Sequence, residues 1–214
     1  MNLPDAFEQA ANLLGLDKQA LNDFAAEDEL GGWTYLGYWP GGSIWEVEGK
    51  FLYALVRALE PENVFESGTK AGCSATHMLT ALKANKKGTL TSVDLGIDTD
   101  IEPEGYGALI PKLLKKKWTF HANTRTEDFL DSDETPFDFV FEDTNHEVDT
   151  TVAILSRLKA RESVKVVVSH DICHPWSGWA MREAWTQVFG VQDSDWHTFC
   201  IEPSDCGLAI WRRG

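Results

Sequence analysis

Acidic and imidazole side chains follow two short apolar runs in the second half of the chain. Asp143 ends the run FDFVFED, and His146 stands three residues later; His170 and Asp171 end the run VKVVVSHD. Two chemistries fit these residues. A divalent cation held by Asp143, Asp171 and His170 would lower the pKa of a bound hydroxyl. Alternatively, His146 or His170 would act as a general base without metal. A carboxylate-rich set of ligands suits Mg²⁺, Mn²⁺ or Ca²⁺.

The segment VFESGTKAGCSATHML has the composition of a ligand-binding turn between a strand and a helix. Gly68 and Gly72 allow the backbone to bend sharply and to approach a ligand closely. We expect Ser74 to cap the helix that follows. The free amides and partial positive charge of a helix N-terminus would complete such a site.

A second acid stands at the spacing that a nucleoside ligand requires. Asp94 ends the run TLTSVD, 22 residues beyond Gly72, and an acid there can accept hydrogen bonds from both hydroxyls of a ribose. The turn and Asp94 together predict a nucleoside-containing cofactor. The glycine spacing is E-x-G-x-x-x-G, whereas dinucleotide sites use G-x-G-x-x-G. A nicotinamide-dependent oxidoreductase is therefore the weaker alternative.

The elements that position these residues alternate between short β-rich runs and amphipathic stretches. The runs cover 63–67, 89–95, 118–122, 137–143 and 164–171. Between them lie the predicted helices SATHMLTALKANKKG, YGALIPKLLKKK, HEVDTTVAILSRLKARE and WAMREAWTQVFG. This alternation predicts a parallel sheet covered by helices on both faces. Ligands of such sheets bind outside the carboxyl ends of the strands, which is where the acids and histidines fall.

The two ends of the chain differ from this pattern. Residues up to about Leu30, and again 46–60, show helical periodicity. DWHTFCIEP and CGLAIWRR read as a terminal antiparallel hairpin with a turn at Ser204 and Asp205. We expect one domain over 1–214, made of an N-terminal helical and aromatic cap (1–60) and an α/β core (61–214).

Aromatic residues crowd the glycine-rich segment between the N-terminal helices. They are Trp33, Tyr35, Tyr38, Trp39 and Trp45, and Trp176 and Trp179 follow the fifth run. Such residues could line an apolar pocket or form a lid. The alternative is a packing layer or the interface of a homo-oligomer.

Composition excludes several classes of protein. The net charge of −15 disfavours nucleic-acid and anionic-lipid partners. No apolar run approaches the ~20 residues of a membrane span, and the acidic N-terminus lacks the apolar core of a signal peptide. We therefore expect a cytoplasmic protein. The four cysteines form no C-x-x-C pair, so we expect free thiols in a reducing compartment.

With these motifs in place, the chain resembles class I S-adenosylmethionine (SAM)-dependent methyltransferases. VFESGTKAGCSATHML followed by TSVDLG resembles their first two motifs, and FDFVFEDTNHEVDT, VVVSHDI and CGLAIW continue in the same order. The resemblance covers about residues 45–212 and is closest to the small-molecule, catechol O-methyltransferase-like branch. It implies a Rossmann-like doubly wound sheet of seven strands, ordered 3-2-1-4-5-7-6 with strand 7 antiparallel, plus N-terminal helices. It also implies methyl transfer from SAM to a hydroxyl of a small molecule.

The resemblance assigns roles to individual residues. Cofactor contacts would come from Glu66, Gly68, Thr69, Gly72, Ser74, Asp94, Asn123 and Asp143. Within this set Asp94 would hold the ribose and Asn123 would lie by the adenine. Metal-dependent relatives place their base where His146 stands, but they use lysine there and an Asp-Asn pair on strand five. Because this chain has His146 and a His-Asp pair, both a cation and a metal-free base stay open. A non-catalytic SAM-binding protein is a further alternative, since a fold does not prove activity.

Overall fold

A seven-stranded sheet forms the centre of the computed structural model, which describes residues 1–28, 44–96, 105–192, 196–202 and 206–214. The strands are β1 (Asn63–Ser67), β2 (Thr89–Asp94), β3 (Trp118–Ala122), β4 (Phe139–Glu142), β5 (Val166–Ser169), β6 (Trp196–Phe199) and β7 (Leu208–Arg212). Their order is β3-β2-β1-β4-β5-β7-β6. The fold class, the strand order and the antiparallel seventh strand expected from the sequence are all confirmed.

Strands β1 to β5 run parallel, and β7 is antiparallel to both β5 and β6. The five parallel strands therefore end on one side, which we call the carboxyl edge. Ser67 pairs with Glu142, Glu142 with Ser169, and Asp94 with Ala122. The residues that follow these pairs are thus brought side by side.

Helices cover both faces of the sheet. They are α1 (Leu3–Leu14), α2 (Lys18–Glu27), α3 (Glu46–Leu59), α4 (Cys73–Ala84), α5 (Thr126–Ser132), α6 (Val148–Ala160) and α7 (Gly178–Phe189). Helices α1 to α4 share a core with one set of strand side chains, including Val64 and Phe141. Helices α5 to α7 share a second core with the alternate set, including Phe65 and Val167. This alternation follows from the two-residue period of a strand. In the described ranges, no helix is both long and apolar enough to cross a bilayer.

The segment between β2 and β3 differs from the prediction. The sequence YGALIPKLLKKK is expected to be an amphipathic helix, but residues 106–114 form turns and a bend, and Lys115–Lys117 forms a short 3₁₀ helix. Pro111 explains the difference, because proline lacks an amide donor and disfavours helical geometry in the preceding residue. The predicted lid loop after β2, the aromatic segment before α3 and the Ser204–Asp205 turn fall mainly or wholly outside the described residues.

A disulfide joins Cys173, in the loop after β5, to Cys200, at the end of β6, with Cα atoms 6.1 Å apart. The expectation that all the cysteines are free thiols is therefore wrong for this pair. β7 lies between β5 and β6 and runs antiparallel to both. The end of β6 therefore lies on the same side of the sheet as the loop after β5. Disulfides are rare in reducing compartments, so the cysteine content no longer indicates one.

The disulfide closes a loop with a sequence separation of 27. Loss of such a cross-link increases the entropy of the unfolded chain by an amount worth about 3 kcal/mol. We expect Cys200→Ser to lower the free energy of unfolding by that order in urea denaturation. Dithiothreitol should destabilise the wild-type protein similarly and leave Cys200→Ser unchanged. Equal stability of the oxidised wild type and the variant would contradict the cross-link.

Candidate active site at the carboxyl edge

Two glycines shape the turn after β1. Gly68 has φ of 85°, and a Cβ atom built on it would lie 1.9 Å from the carbonyl oxygen of Asp143. Gly72 has φ of 86°, and a Cβ there would lie 2.8 Å from the Ile110 side chain. Only glycine satisfies both the left-handed backbone and these close approaches. The turn is consequently held in direct contact with the residue that follows β4.

Asp94 lies against the same turn. Its Oδ2 accepts hydrogen bonds from the backbone amides of Thr69, at 2.9 Å, and Lys70, at 3.0 Å. Its Oδ1 accepts one from the amide of Gly96, at 2.8 Å. The structure therefore brings together the glycine turn and the acid on which the cofactor prediction depends.

Glu66 supports the turn from within the protein. Its side chain is fully buried and accepts hydrogen bonds from the hydroxyls of Ser74 (2.6 Å), Ser92 (2.6 Å) and Thr69 (3.2 Å). Burial raises the pKa of Glu66 to about 7. The expected capping role of Ser74 is wrong, because Gly72 occupies the N-cap position of α4, no side chain caps the helix, and the Ser74 hydroxyl donates to Glu66.

Asn123 follows β3 beside the Asp94 loop. A Cβ atom built on Gly96 would lie 2.8 Å from Oδ1 of Asn123. The predicted cofactor residues on β1, β2 and β3 thus gather along one stretch of the carboxyl edge. Their contacts with a cofactor stay a prediction.

The predicted acids and histidines after β4 and β5 also meet. Nε2 of His146 lies 2.8 Å from Oδ2 of Asp171 and 3.6 Å from Oδ1 of Asp143. Nδ1 of His170 lies 3.4 Å from Oδ1 of Asp143 and 3.6 Å from Oδ1 of Asp171. We call these four residues the acid–histidine group.

Burial and mutual charge set the ionisation of this group. Burial alone would favour the neutral form of Asp143, but His170 and His146 outweigh it and hold the pKa of Asp143 well below its ordinary value. The pKa of Asp171 is lowered, against burial, chiefly by His146. Against burial, the two carboxylates raise the pKa of His146 to about 10, and Asp143 raises that of His170 well above its ordinary value. In this arrangement the two carboxylates favour the protonated form of both rings.

Sequence reasoning missed Glu48, a fully buried residue of α3. Its Oε2 lies 2.9 Å from Nε2 of His170 and accepts the backbone amide of Trp45 at 2.8 Å, while Oε1 accepts the amide of Gly207 at 2.8 Å. The amide contact with Trp45 is a local cap at the third helical position, which sequence alone can suggest. The contact with His170 spans 122 residues and has no local signal.

Backbone strain concentrates at this edge. Lys70, Asn123, His146 and Asp171 have φ of 47°, 53°, 38° and 58°, each after the end of a parallel strand. Positive φ is uncommon for residues with side chains and is often found at functional sites. Three of these four residues, Asn123, His146 and Asp171, are ones that the sequence analysis placed in the site.

The tryptophans that follow β5 are exposed. Trp176 and Trp179 are 83% and 63% accessible, so neither belongs to an internal packing layer. His174 lies in the same loop, with Nδ1 3.0 Å from the Ser177 hydroxyl.

A family model described as a methyltransferase domain matches residues 65–172, half of the chain. This chain belongs to that family of methyltransferases. The matched region contains the glycine turn, Asp94 and the whole acid–histidine group. The predicted resemblance to methyltransferases is confirmed, and methyl transfer is favoured over hydride transfer.

Solved structures show the same fold. The O-methyltransferase of Bacillus cereus in complex with SAH is 12% identical, with a TM-score of 0.60 and coverage of 98% of this chain and 97% of that one. The O-methyltransferase TomG of Streptomyces achromogenes, in complex with SAM, is 21% identical, with a TM-score of 0.59 and coverage of 98% and 96%. The SAH-bound methyltransferase PaMTH1 of Podospora anserina is 15% identical, with a TM-score of 0.60 and coverage of 91% and 88%. No curated protein matches the sequence.

The raised pKa of Glu66 predicts a pH-dependent stability. Because its pKa rises from 4.5 to about 7 on folding, the folded state binds this proton more tightly than the unfolded chain. Its contribution is therefore most favourable below pH 4.5 and is lost as the pH rises towards 7, by about 3 kcal/mol at most. Glu66→Gln should flatten the fall in unfolding free energy between pH 5 and 7, measured by urea denaturation. The exposed Glu62→Gln should retain the wild-type slope; identical slopes in all three proteins would refute the assignment.

Proposed function

We propose that this protein transfers the methyl group of SAM to a hydroxyl of a small molecule. The observation that carries the proposal is the contact of one glycine turn with two sites. Asp94 accepts the amides of Thr69 and Lys70, and the backbone of Gly68 lies against Asp143. The residues proposed to bind the nucleoside therefore lie next to the acid–histidine group. Transfer of a methyl group between two bound molecules requires such adjacent sites. The O-methyltransferases among the structural neighbours support the choice of oxygen as acceptor.

On the cofactor side, each residue has a physical role. Asp94 would accept the ribose hydroxyls, the backbone of Gly68–Gly72 would face the methionine part, and Asn123 would lie by the adenine. Glu66 holds the turn through three hydroxyls. When bound, SAM supplies an electrophilic methyl group on a cationic sulfonium, so the protein has only to position and deprotonate the acceptor.

On the acceptor side, the acid–histidine group fits a divalent cation. Oxygen and nitrogen donors of Asp143, His146 and Asp171 lie within 4.8 Å of one another, and His170 directs Nδ1 to both carboxylates. A cation held there would lower the pKa of an acceptor hydroxyl. The two carboxylates raise the pKa of His146 to about 10, which disfavours this ring as a general base at neutral pH, and a cation that binds there would displace its proton. The net charge of −15 favours a small acceptor over a nucleic acid.

Cofactor binding can be tested by calorimetry with SAM. We expect the wild-type protein to bind SAM and Asp94→Asn to bind it at least ~10-fold more weakly, since a charge-assisted hydrogen bond is worth about 1.5 kcal/mol or more. The control is Asp131→Asn, an exposed aspartate paired with Arg157 on α6, which should bind normally. Absence of wild-type binding at millimolar SAM would remove the proposal.

The acceptor site can be tested through turnover of a panel of small hydroxyl compounds, followed by release of demethylated cofactor. Asp171→Asn should lower the rate at least ~100-fold while SAM affinity stays unchanged, because Asp171 lies on the acceptor side. A chelator should abolish wild-type activity, and added Mn²⁺ should restore it. Chelator-resistant turnover would exclude the cation, and an active Asp171→Asn would show that the chemistry lies elsewhere.

A further inference from the structure

Glu48 determines which nitrogen of His170 faces the acid–histidine group. The buried carboxylate accepts the amides of Trp45 and Gly207 and contacts Nε2 of His170 at 2.9 Å. Nε2 of His170 faces Glu48, whose two oxygens each accept a backbone amide, so we assign Nε2 as the donor in this contact. Its Nδ1 is then the atom presented to Asp143 and Asp171.

The ring nitrogens and carboxylate oxygens of this group are spaced as neighbouring ligands of one ion. The nitrogen–oxygen distances between the two rings and the two carboxylates are 2.8, 3.4, 3.6 and 3.6 Å. Ligands with metal bonds of ~2.1 Å lie roughly 3–3.5 Å apart when they are adjacent in the coordination sphere. Two three-residue sets that share Asp171 could hold an ion: Asp143, His146 and Asp171, and His170, Asp171 and Cys206. Nδ1 of His170 also lies within 3.6 Å of both carboxylates of the first set, which brings both imidazoles within reach of one cation.

The ligand types decide which cation such a site favours. Mg²⁺ and Ca²⁺ bind oxygen ligands, and Mg²⁺ keeps several waters. Imidazole suits first-row transition metals, and Mn²⁺ accepts carboxylates as well. A carboxylate that accepts the far N–H of a ligating histidine fixes the orientation of its ring and increases its basicity. Glu48 stands in that relation to His170.

We propose that Glu48 is a positioning residue that turns Nδ1 of His170 towards the cation, so that the site selects a transition metal such as Mn²⁺ over Mg²⁺ or Ca²⁺. This inference rests on the cation-assisted form of the proposed function. It assigns a role to α3, which lies outside the region matched by the family model.

The direct test is metal binding to the full-length, metal-free protein. Titration with Mn²⁺, followed by the EPR signal of the free ion, should show one site, and competition should show at least ~10-fold weaker binding of Mg²⁺. Pulsed EPR should detect nitrogen coupling from two imidazoles. Glu48→Gln should weaken Mn²⁺ binding ~10- to 100-fold. Glu46→Gln, on the same helix and paired with Lys50, should bind Mn²⁺ normally.

A second variant keeps the test decisive if Glu48→Gln does not fold. His170→Asn replaces an imidazole by an amide, so one nitrogen coupling should vanish and the preference for Mn²⁺ over Mg²⁺ should fall several-fold. Equal wild-type affinity for Mn²⁺ and Mg²⁺, absence of nitrogen coupling, or normal Mn²⁺ binding by folded Glu48→Gln would each overturn the inference.

SAM calorimetry on the metal-free protein separates the two proposals. Binding of SAM without binding of Mn²⁺ would remove only the cation, whereas loss of SAM binding would remove the proposed function itself.

Discussion

The approach of the Gly68 backbone to the carbonyl oxygen of Asp143 is the constraint on which the site depends. The amide of Asp143 also donates to the carbonyl of Ser67 at 2.8 Å, so the ends of β1 and β4 are joined by main-chain contacts. A side chain at position 68 would force these two ends apart. The spacing between the glycine turn and the acid–histidine group is consequently set by main-chain contacts.

Three fully buried glutamates support residues at the carboxyl edge of the sheet. Glu66 accepts three hydroxyls, Glu142 accepts the hydroxyls of Ser169 and Thr144, and Glu48 is bound by nitrogen donors. A buried carboxylate is tolerated only when its oxygens are hydrogen-bonded. Each glutamate therefore fixes the groups around it: the glycine turn, the end of β5 and the ring of His170. These supports offset the strained backbone at the same edge.

The sequence predicted the features that depend on local pattern. The bounds of β1 and β3, and the positions of Asp94 and Asp143 at strand ends, follow from apolar runs that stop at polar residues. Strand order came from the family resemblance, since periodicity does not say which strands are neighbours. Contacts between distant segments escaped prediction: Glu48 meets His170 across 122 residues, and Cys173 meets Cys200 only because the hairpin folds back. The position of Ser74 near the start of α4 suggests a helix cap. Its hydroxyl instead donates to the buried Glu66, a contact that the local sequence pattern does not show.

Both main-chain segments that anchor Glu48, at Trp45 and Gly207, lie outside the stretch shared with the methyltransferase family. The shared stretch supplies the imidazole of His170, and the flanking segments supply the carboxylate that orients it. Residues 65–172 alone would include the glycine turn and Asp94 but lack Glu48, the anchor of this ring. The orientation of the His170 ring is thus set by segments that the methyltransferase family model does not cover.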